Sequence, residues 1–242
     1  MIELISPKRI AKETILITRL KDFGMDYFDI HSVLGWNYVL DHIWLFKEIS
    51  RFIKNKDSKG MSVLDVGCGN SPFHNFVEKE LKLNILGIDR PQGFCHQEKV
   101  VNADYLADFL EFEELKENSV DIVYWLSAIE HNTIENIGKL YNRSLYFLKP
   151  KGLLLITFAI SDSTHWYEAS QQTNLSLIDA KKIFEDNLIK GNFHKIREQY
   201  RENELGLRDR YEKRYGYFGT EDPLFVVAGL KQKKSKENWF EL

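Results

Sequence analysis

Apolar residues in the first quarter of the chain recur at helical intervals. Ile10, Ile15, Ile17 and Leu20 follow that spacing approximately, and from Asn37 to Lys54 a stripe is formed by Leu40, Ile43, Leu45, Phe46, Ile49, Phe52 and Ile53. Residues 1–60 are therefore expected to be helical, with the polar stretch around His31 and Gly35 separating two helices. The small and charged run Asn55–Gly60 reads as a linker.

From Met61 the pattern changes to short apolar runs. Strands are expected at Met61–Val66, Asn84–Ile88, Lys99–Asn102, Val120–Leu126 and Gly152–Ile160. Helices are expected between them at Pro72–Leu81 and Thr133–Leu148, the second ending just before Pro150. Strands alternating with helices at this spacing imply βαβ units and a mostly parallel sheet, so the fold class is α/β. Further on, Ser176 with Asp179 marks a helix start carrying Ala180, Ile183, Phe184 and Leu188. Asn192–Tyr200 reads as a sixth strand, Arg201–Gly216 as a charged helical insertion and Leu224–Leu230 as a final strand before a polar tail.

With 242 residues, 43% of them hydrophobic, the chain can bury one sizeable core. The reading divides it into a helical cap (1–60), a ligand-binding domain (61–232, with an insertion at 201–222) and a tail (233–242). A formal net charge of −3 argues against a nucleic-acid partner, which usually needs a basic surface. No run approaches the roughly 18 apolar residues of a membrane span, and the start MIELISPKRI lacks the pattern of a signal peptide. Cys68 and Cys95 form no zinc spacing or CxxC pair, which fits reduced thiols in the cytoplasm.

The strongest chemical signal is Val63-Leu-Asp-Val-Gly-Cys-Gly-Asn-Ser71. A buried strand runs into Gly67-x-Gly69 and then a helix, an arrangement that brings backbone and helix N–H groups close to a ligand. Asp89 ends the next strand about 20 residues later, where a carboxylate can accept from ribose hydroxyls. Dinucleotide enzymes share this arrangement, but Pro72 occupies the third glycine position of their G-x-G-x-x-G pattern.

Asp65 before the first glycine makes the segment resemble the first motif of the class I S-adenosylmethionine-dependent methyltransferases, D/E-x-G-x-G. The resemblance continues in chain order through Gly87-Ile88-Asp89, Asn102-Ala103-Asp104, Val120–Ser127 and Leu148-Lys149-Pro150-Lys151-Gly152-Leu153. It covers residues 61–160, and Leu224–Leu230 resembles the family's terminal antiparallel strand. The family's fold is Rossmann-like: a seven-stranded, mostly parallel sheet with an antiparallel last strand, here with a helical N-terminal lid.

The resemblance implies S-adenosylmethionine as cofactor, held by Asp65, Gly67, Cys68, Gly69, Asp89, Arg90, Asp104, Tyr105, Leu126 and Ser127. Asp89 would take the ribose, Asp104 the adenine, and Leu126–Ser127 would lie near the methyl group. By its chemistry Cys68 also reads simply as a small side chain in a crowded turn.

Glu130 and His131 follow the Val120–Leu126 strand, where an acceptor should enter. His131 is the candidate general base; the pair could equally organise the loop and cap the next helix. Glu130, His131 and His165 could supply three metal ligands, but Ser127 stands where metal-binding relatives have a further glutamate, so no metal is expected. His165, Trp166 and Tyr167, in the polar loop Ser161–Tyr167, are candidate substrate contacts or a lid packed on the core. Tyr27, His31, Trp36, Tyr38 and His42 could close over a sulfonium cation or serve as packing residues.

The expected activity is in-line methyl transfer to a small-molecule or glycan-precursor acceptor, at oxygen or nitrogen. The acceptor and the oligomeric state are not legible in the sequence. The rival readings are a nicotinamide-dependent oxidoreductase and a silent cofactor-binding partner subunit.

Overall fold

The computed structural model describes residues 1–25, 38–69, 71–89, 100–102, 115–167, 172–201 and 226–233. Ten strands form the sheet: β1 (Ile2–Leu4), β2 (Ser62–Val66), β3 (Asn84–Asp89), β4 (Val100–Asn102), β5 (Val120–Leu126), β6 (Leu148–Ser161), β7 (His165–Tyr167), β8 (Gln172–Ser176), β9 (Ile189–Lys190) and β10 (Val226–Lys233). The helices are α1 (Pro7–Ile10), α2 (Thr14–Asp22), α3 (Tyr38–Ile53), α4 (Phe73–Leu81), α5 (Ile134–Phe147), α6 (Leu177–Ile183) and α7 (Phe193–Arg201), with a 3₁₀ turn at Ile129–His131. No described helix is long and apolar enough to cross a membrane.

The sheet order is β4-β3-β2-β5-β6-β10-β1-β9. The first five are parallel, and β10 runs antiparallel beside β6 from Val226↔Ile160 to Lys233↔Leu153. This is the mostly parallel α/β sheet with an antiparallel last strand that the motif order implied. Chain order runs outward from β2 through β3 to β4 on one side and from β5 to β6 on the other. The switch point, where such sheets bind ligands, therefore lies between the carboxyl ends of β2 and β5.

Three sequence expectations are corrected. The helical reading of residues 1–60 fails at its start, because Ile2–Leu4 is a strand that pairs with β10 and β9. Its three side chains are all buried, and it covers an edge that β10 would otherwise expose. Within the same segment, Ala11–Glu13 separates α1 from α2, and Ile15 is 79% exposed rather than part of the core.

Asn192–Tyr200 is not a sixth strand but the helix α7. Ile196 and Tyr200, four residues apart, are its buried positions. The polar loop expected at Ser161–Tyr167 is the end of β6 followed by the first strand of a hairpin, β7–β8. With that expected sixth strand lost and four others gained (β1, β7, β8 and β9), the count goes from the expected seven to ten. The helix start at Ser176 is as expected: its Oγ accepts from the Asp179 N–H at 3.0 Å. The insertion at 201–222 lies outside the described residues apart from Arg201, and Tyr27, His31 and Trp36 lie outside them as well.

α3 fixes the N-terminal segment to the sheet. Trp44 Nε1 donates to Glu3 Oε2 of β1 at 3.1 Å, and Lys190 of β9 donates to Glu3 Oε1 at 2.9 Å. Burial alone would raise the Glu3 carboxyl, but hydrogen bonds from Lys190 and Trp44, with the charges of Lys190 and Arg9, hold it below its ordinary value. Lys231 of β10 pairs with the buried Glu48 of α3.

The indole of Trp44 lies so close to β10 that a Cβ on Gly229 would sit 2.4 Å from its Cζ2. The absence of a side chain at 229 is thus what lets α3 pack down. Gly229→Ala should cost about 1–3 kcal/mol through overpacking, seen as a fall in Tm on the order of 5 °C. An unchanged melting curve would show that Trp44 moves aside without cost.

Candidate functional site

Val66 pairs with Trp125, so β2 and β5 end at the same level. The chain leaves β2 through Gly67 (φ 75°) and Gly69 (φ 54°), both in the left-handed region that side chains disfavour. The turn is held to the neighbouring strand: the Gly67 N–H donates to Ile88 O at 2.7 Å and the Cys68 N–H to the same oxygen at 3.3 Å. The Gly69 N–H donates to the Asp89 carboxylate. Asp89, expected only as a ligand contact, is therefore also a support of the turn. Among the described residues, nothing lies within 4 Å of the place where a Cβ on Gly69 would stand. Cys68 is buried.

Beneath the turn Asp65 is buried. Tyr124, its partner on β5, donates to Asp65 Oδ2 at 2.7 Å, and His74 Nδ1 of α4 stands 3.5 Å from the same oxygen. Oδ1 of Asp65 has no hydrogen-bond partner among the described residues. Burial pushes this carboxyl up, against the hydrogen bonds and charge that favour its ionised form. Burial, reinforced by Asp65, likewise raises the Tyr124 phenol well above its ordinary value.

At the end of β5, Ser127 adopts φ 46°, an uncommon conformation for a residue with a side chain. Two contacts hold it there. Its N–H donates to Thr157 Oγ1 of β6 at 3.0 Å, and its Oγ donates to Oδ2 of Asp41, at the start of α3, at 2.7 Å. Asp41 and Thr157 are completely buried, and Glu130, in the following turn, is nearly so. Asp41 Oδ1 and Glu130 Oε2 have no hydrogen-bond partner among the described residues.

Burial pushes Asp41 up to about 7, and burial with the nearby Asp41 charge pushes Glu130 up to about 8. Next to Asp41, His42 stacks on Phe73 at 4.0 Å between ring centroids, and burial holds it neutral with a value lowered to about 3. His42 is thus packed between α3 and α4, one of the two roles open to it in the sequence. Tyr38 also contacts the His42 ring.

The Ile129–His131 turn buries Glu130 and leaves His131 partly exposed. Thr173 Oγ1 of β8 donates to Asn132 O at 2.6 Å, which attaches the β7–β8 hairpin to this turn. Trp166 pairs with Thr173 across the hairpin and is 38% exposed, and the His165 and Tyr167 rings meet edge to face at 4.6 Å.

Asp65, Gly67, Cys68, Gly69, Asp89, Leu126, Ser127, Glu130 and His131 thus share the carboxyl edge of the sheet, with His165, Trp166 and Tyr167 on a hairpin tied to it. Arg90, Asp104 and Tyr105 lie outside the described residues. Sequence reasoning missed Asp41, Thr157, His74 and Tyr124. Asp41 was detectable only as an acidic residue between the apolar positions Leu40 and Ile43. Among the described residues no three His, Cys, Asp or Glu side chains are placed to hold a metal ion.

The model of the mycolic acid cyclopropane synthetase family matches residues 47–224, well over half of the chain. The chain belongs to that family. It is thereby one of the class I S-adenosylmethionine-dependent methyltransferases that its motif order resembles.

Among curated proteins it is 28% identical over 184 residues to a phosphoethanolamine N-methyltransferase of Plasmodium falciparum, covering 72% of this chain and 64% of that one. It is 26% identical over 216 residues to phosphoethanolamine N-methyltransferase 1 of Triticum aestivum, covering 80% of this chain and 42% of that one. The chain therefore spans less than two thirds of the length of either relative. Among solved structures, Haemonchus contortus phosphoethanolamine N-methyltransferase 2 in complex with S-adenosyl-L-methionine superposes with a TM-score of 0.58 at 18% identity. That match covers 90% of this chain and 57% of the other and supports the fold.

The two raised carboxyls give a stability signature. The unfolded chain loses these protons near the ordinary carboxylate value of roughly 4, whereas the folded chain keeps them to about 7 and 8. Between those limits the folded state binds more protons, so stability falls as pH rises. The loss is on the order of 1 kcal/mol per pH unit for each retained proton, and it is complete once both groups ionise. Tm should therefore drop on going from about pH 5.5 to about pH 8.5, and Asp41→Asn should flatten the drop. A wild-type Tm that rises over this interval would contradict the protonated pair.

Proposed function

We propose that the chain transfers a methyl group from S-adenosylmethionine to the nitrogen of a small amine of the phosphoethanolamine class. The observation that carries this reading is the meeting of the Gly67–Gly69 turn, Asp89 and Ser127 at the switch point of the sheet. The family match favours it over a nicotinamide-dependent oxidoreductase. The two curated relatives, both named for N-methylation, favour nitrogen over oxygen as acceptor atom.

The site fits the cofactor on its own terms. The orphaned Oδ1 of Asp65 is a buried acceptor suited to an α-ammonium group. Gly69 leaves open space where the cofactor's aminoacyl part would approach the turn. A carboxylate has about four acceptor positions, so Asp89 can support the Gly69 N–H and still receive ribose hydroxyls. Arg90, Asp104 and Tyr105 complete the nucleoside side in this reading. When bound, the cofactor supplies an activated methyl on a sulfonium, which needs no covalent help from the protein.

The chain's own contribution is orientation, exclusion of water and management of one proton. Leu126 and the strained Ser127 shape the wall near the reacting methyl. An ammonium nitrogen must lose a proton before it can attack. His131, partly exposed beside the buried Glu130, is the group placed to accept it. His165, Trp166 and Tyr167 would contact the acceptor from the hairpin. A polar edge of Ser127, Asp41, Glu130 and Thr157 suits an amine better than the apolar chain of a lipid.

Calorimetric titration with S-adenosylhomocysteine tests the cofactor half. Gly67→Val should abolish binding, because a branched side chain is strained at φ 75° and intrudes on ligand space. Asp89→Ala should weaken binding about 10- to 100-fold, the loss of a charged acceptor together with its turn support. Full affinity in either folded variant would refute the assignment. For the catalytic half, His131→Ala should lower the methylation rate about 10²- to 10⁴-fold with homocysteine-ligand affinity nearly intact. A rate within a few-fold of wild type would leave His131 as a loop residue only.

A further inference from the structure

The buried acids at the end of β5 have a feature that cofactor binding does not use. Asp41 and Glu130 come from different elements, α3 and the turn after β5, and meet at Ser127. Asp41 is completely buried and Glu130 is 4% exposed. Ser127 and Thr157 lie against Asp41 and Ser127 against Glu130, but among the described residues neither acid is joined to a lysine or arginine, and Asp41 Oδ1 and Glu130 Oε2 have no hydrogen-bond partner. Ser127 has one proton to donate and gives it to Asp41, so toward Glu130 its oxygen can only accept.

Leaving buried carboxyl oxygens unsatisfied costs free energy that packing alone would select against. Structural acids elsewhere in this chain show the contrast. Glu3 is satisfied by Lys190, Arg9 and Trp44, and Glu48 by Arg51 and Lys231. Asp41 and Glu130 sit on either side of the residue that ends β5, at the edge where the transferred methyl must arrive, whereas the other such acid, Asp65, lies beneath the glycine turn.

We infer that Asp41 and Glu130, bridged by Ser127, form the recognition site for the ammonium group of the acceptor. This rests on the methyltransferase reading above and adds the residues that select a cationic acceptor. An ammonium group has three donors and one positive charge. It can donate to Asp41 Oδ1 and Glu130 Oε2 together and favours the ionised form of both, whose protons pass to solvent as it binds; a neutral hydroxyl or an acyl chain brings no charge to do this. His131, in the same turn as Glu130, then receives the proton that the nitrogen sheds. The sulfonium of the cofactor is the other compact cation present in such a site, and the test separates the two.

The full chain loaded with S-adenosylhomocysteine is titrated calorimetrically with phosphoethanolamine, ethanolamine and 2-hydroxyethyl phosphate, the last with a hydroxyl in place of the ammonium. Wild type should take an ammonium probe in preference to the hydroxyl analogue. Asp41→Asn and Glu130→Gln should each weaken the ammonium probe by at least about 30-fold, the usual consequence of removing one partner of a buried charge pair. The hydroxyl analogue should be little changed.

Absence of that preference in wild type overturns the site even if a variant fails to fold. So does failure of both ammonium probes while S-adenosylhomocysteine still binds. If instead the variants lose the preference for S-adenosylmethionine over S-adenosylhomocysteine and keep the ammonium preference, the pair serves the sulfonium and the proposal falls. Failure of wild type to bind S-adenosylhomocysteine removes the methyltransferase reading and the site with it.

Discussion

The Ser127 hydroxyl donates to Asp41 at 2.7 Å, and its N–H donates to Thr157 at 3.0 Å. These contacts join α3, β5 and β6 at one residue whose backbone is strained. They fix where β5 stops and so where the chain turns toward Glu130 and His131. They also position the start of α3, where His42 stacks on Phe73 at the head of α4. The glycine turn between β2 and α4 is held from the side by Ile88 and Asp89, and α3 braces the head of α4 through that stack. The arrangement is costly locally, with a left-handed serine and two buried acids, and that cost is carried by the apolar packing of the sheet beneath it.

The same logic explains how the N-terminal segment takes part in the site. Trp44 reaches β1 through Glu3 and reaches β10 through the space left by Gly229. Glu48, one helical turn further, reaches Lys231. Held at these points, α3 has little freedom to slide, so Asp41 stays opposite Ser127. The strap that secures the helix is built from satisfied charges, while the helix start that faces the site carries a buried acid whose Oδ1 lacks a partner among the described residues.

Much of this was legible in the sequence, and the reasons are particular. The runs Ile122–Leu126 and Leu153–Ile156 are continuous and apolar because both faces of a parallel strand are covered. The spacing from Gly69 to Asp89 is dictated by one βαβ step. Elements that carry little signal of their own were missed or misread. Ile2–Leu4 is too short for a period, and Gln172–Ser176 is almost wholly polar. In Phe193–Arg201 only Phe193, Ile196 and Tyr200 are apolar, too few for the helical period to stand out from a charged segment. Asp41 could not be assigned from sequence because its partner is 86 residues away. A buried acid acquires meaning only through what the fold brings against it.

The central claim is that the carboxyl edge between β2 and β5 is a cofactor site arranged around a cation-seeking end. A crystal structure of the chain with S-adenosylhomocysteine tests it most directly. The account predicts the ligand across the Gly67–Gly69 turn, with its α-ammonium on Asp65 Oδ1, its ribose on Asp89 and its sulfur facing Ser127. A ligand bound elsewhere, or at this edge with its sulfur turned away from Ser127, would contradict it.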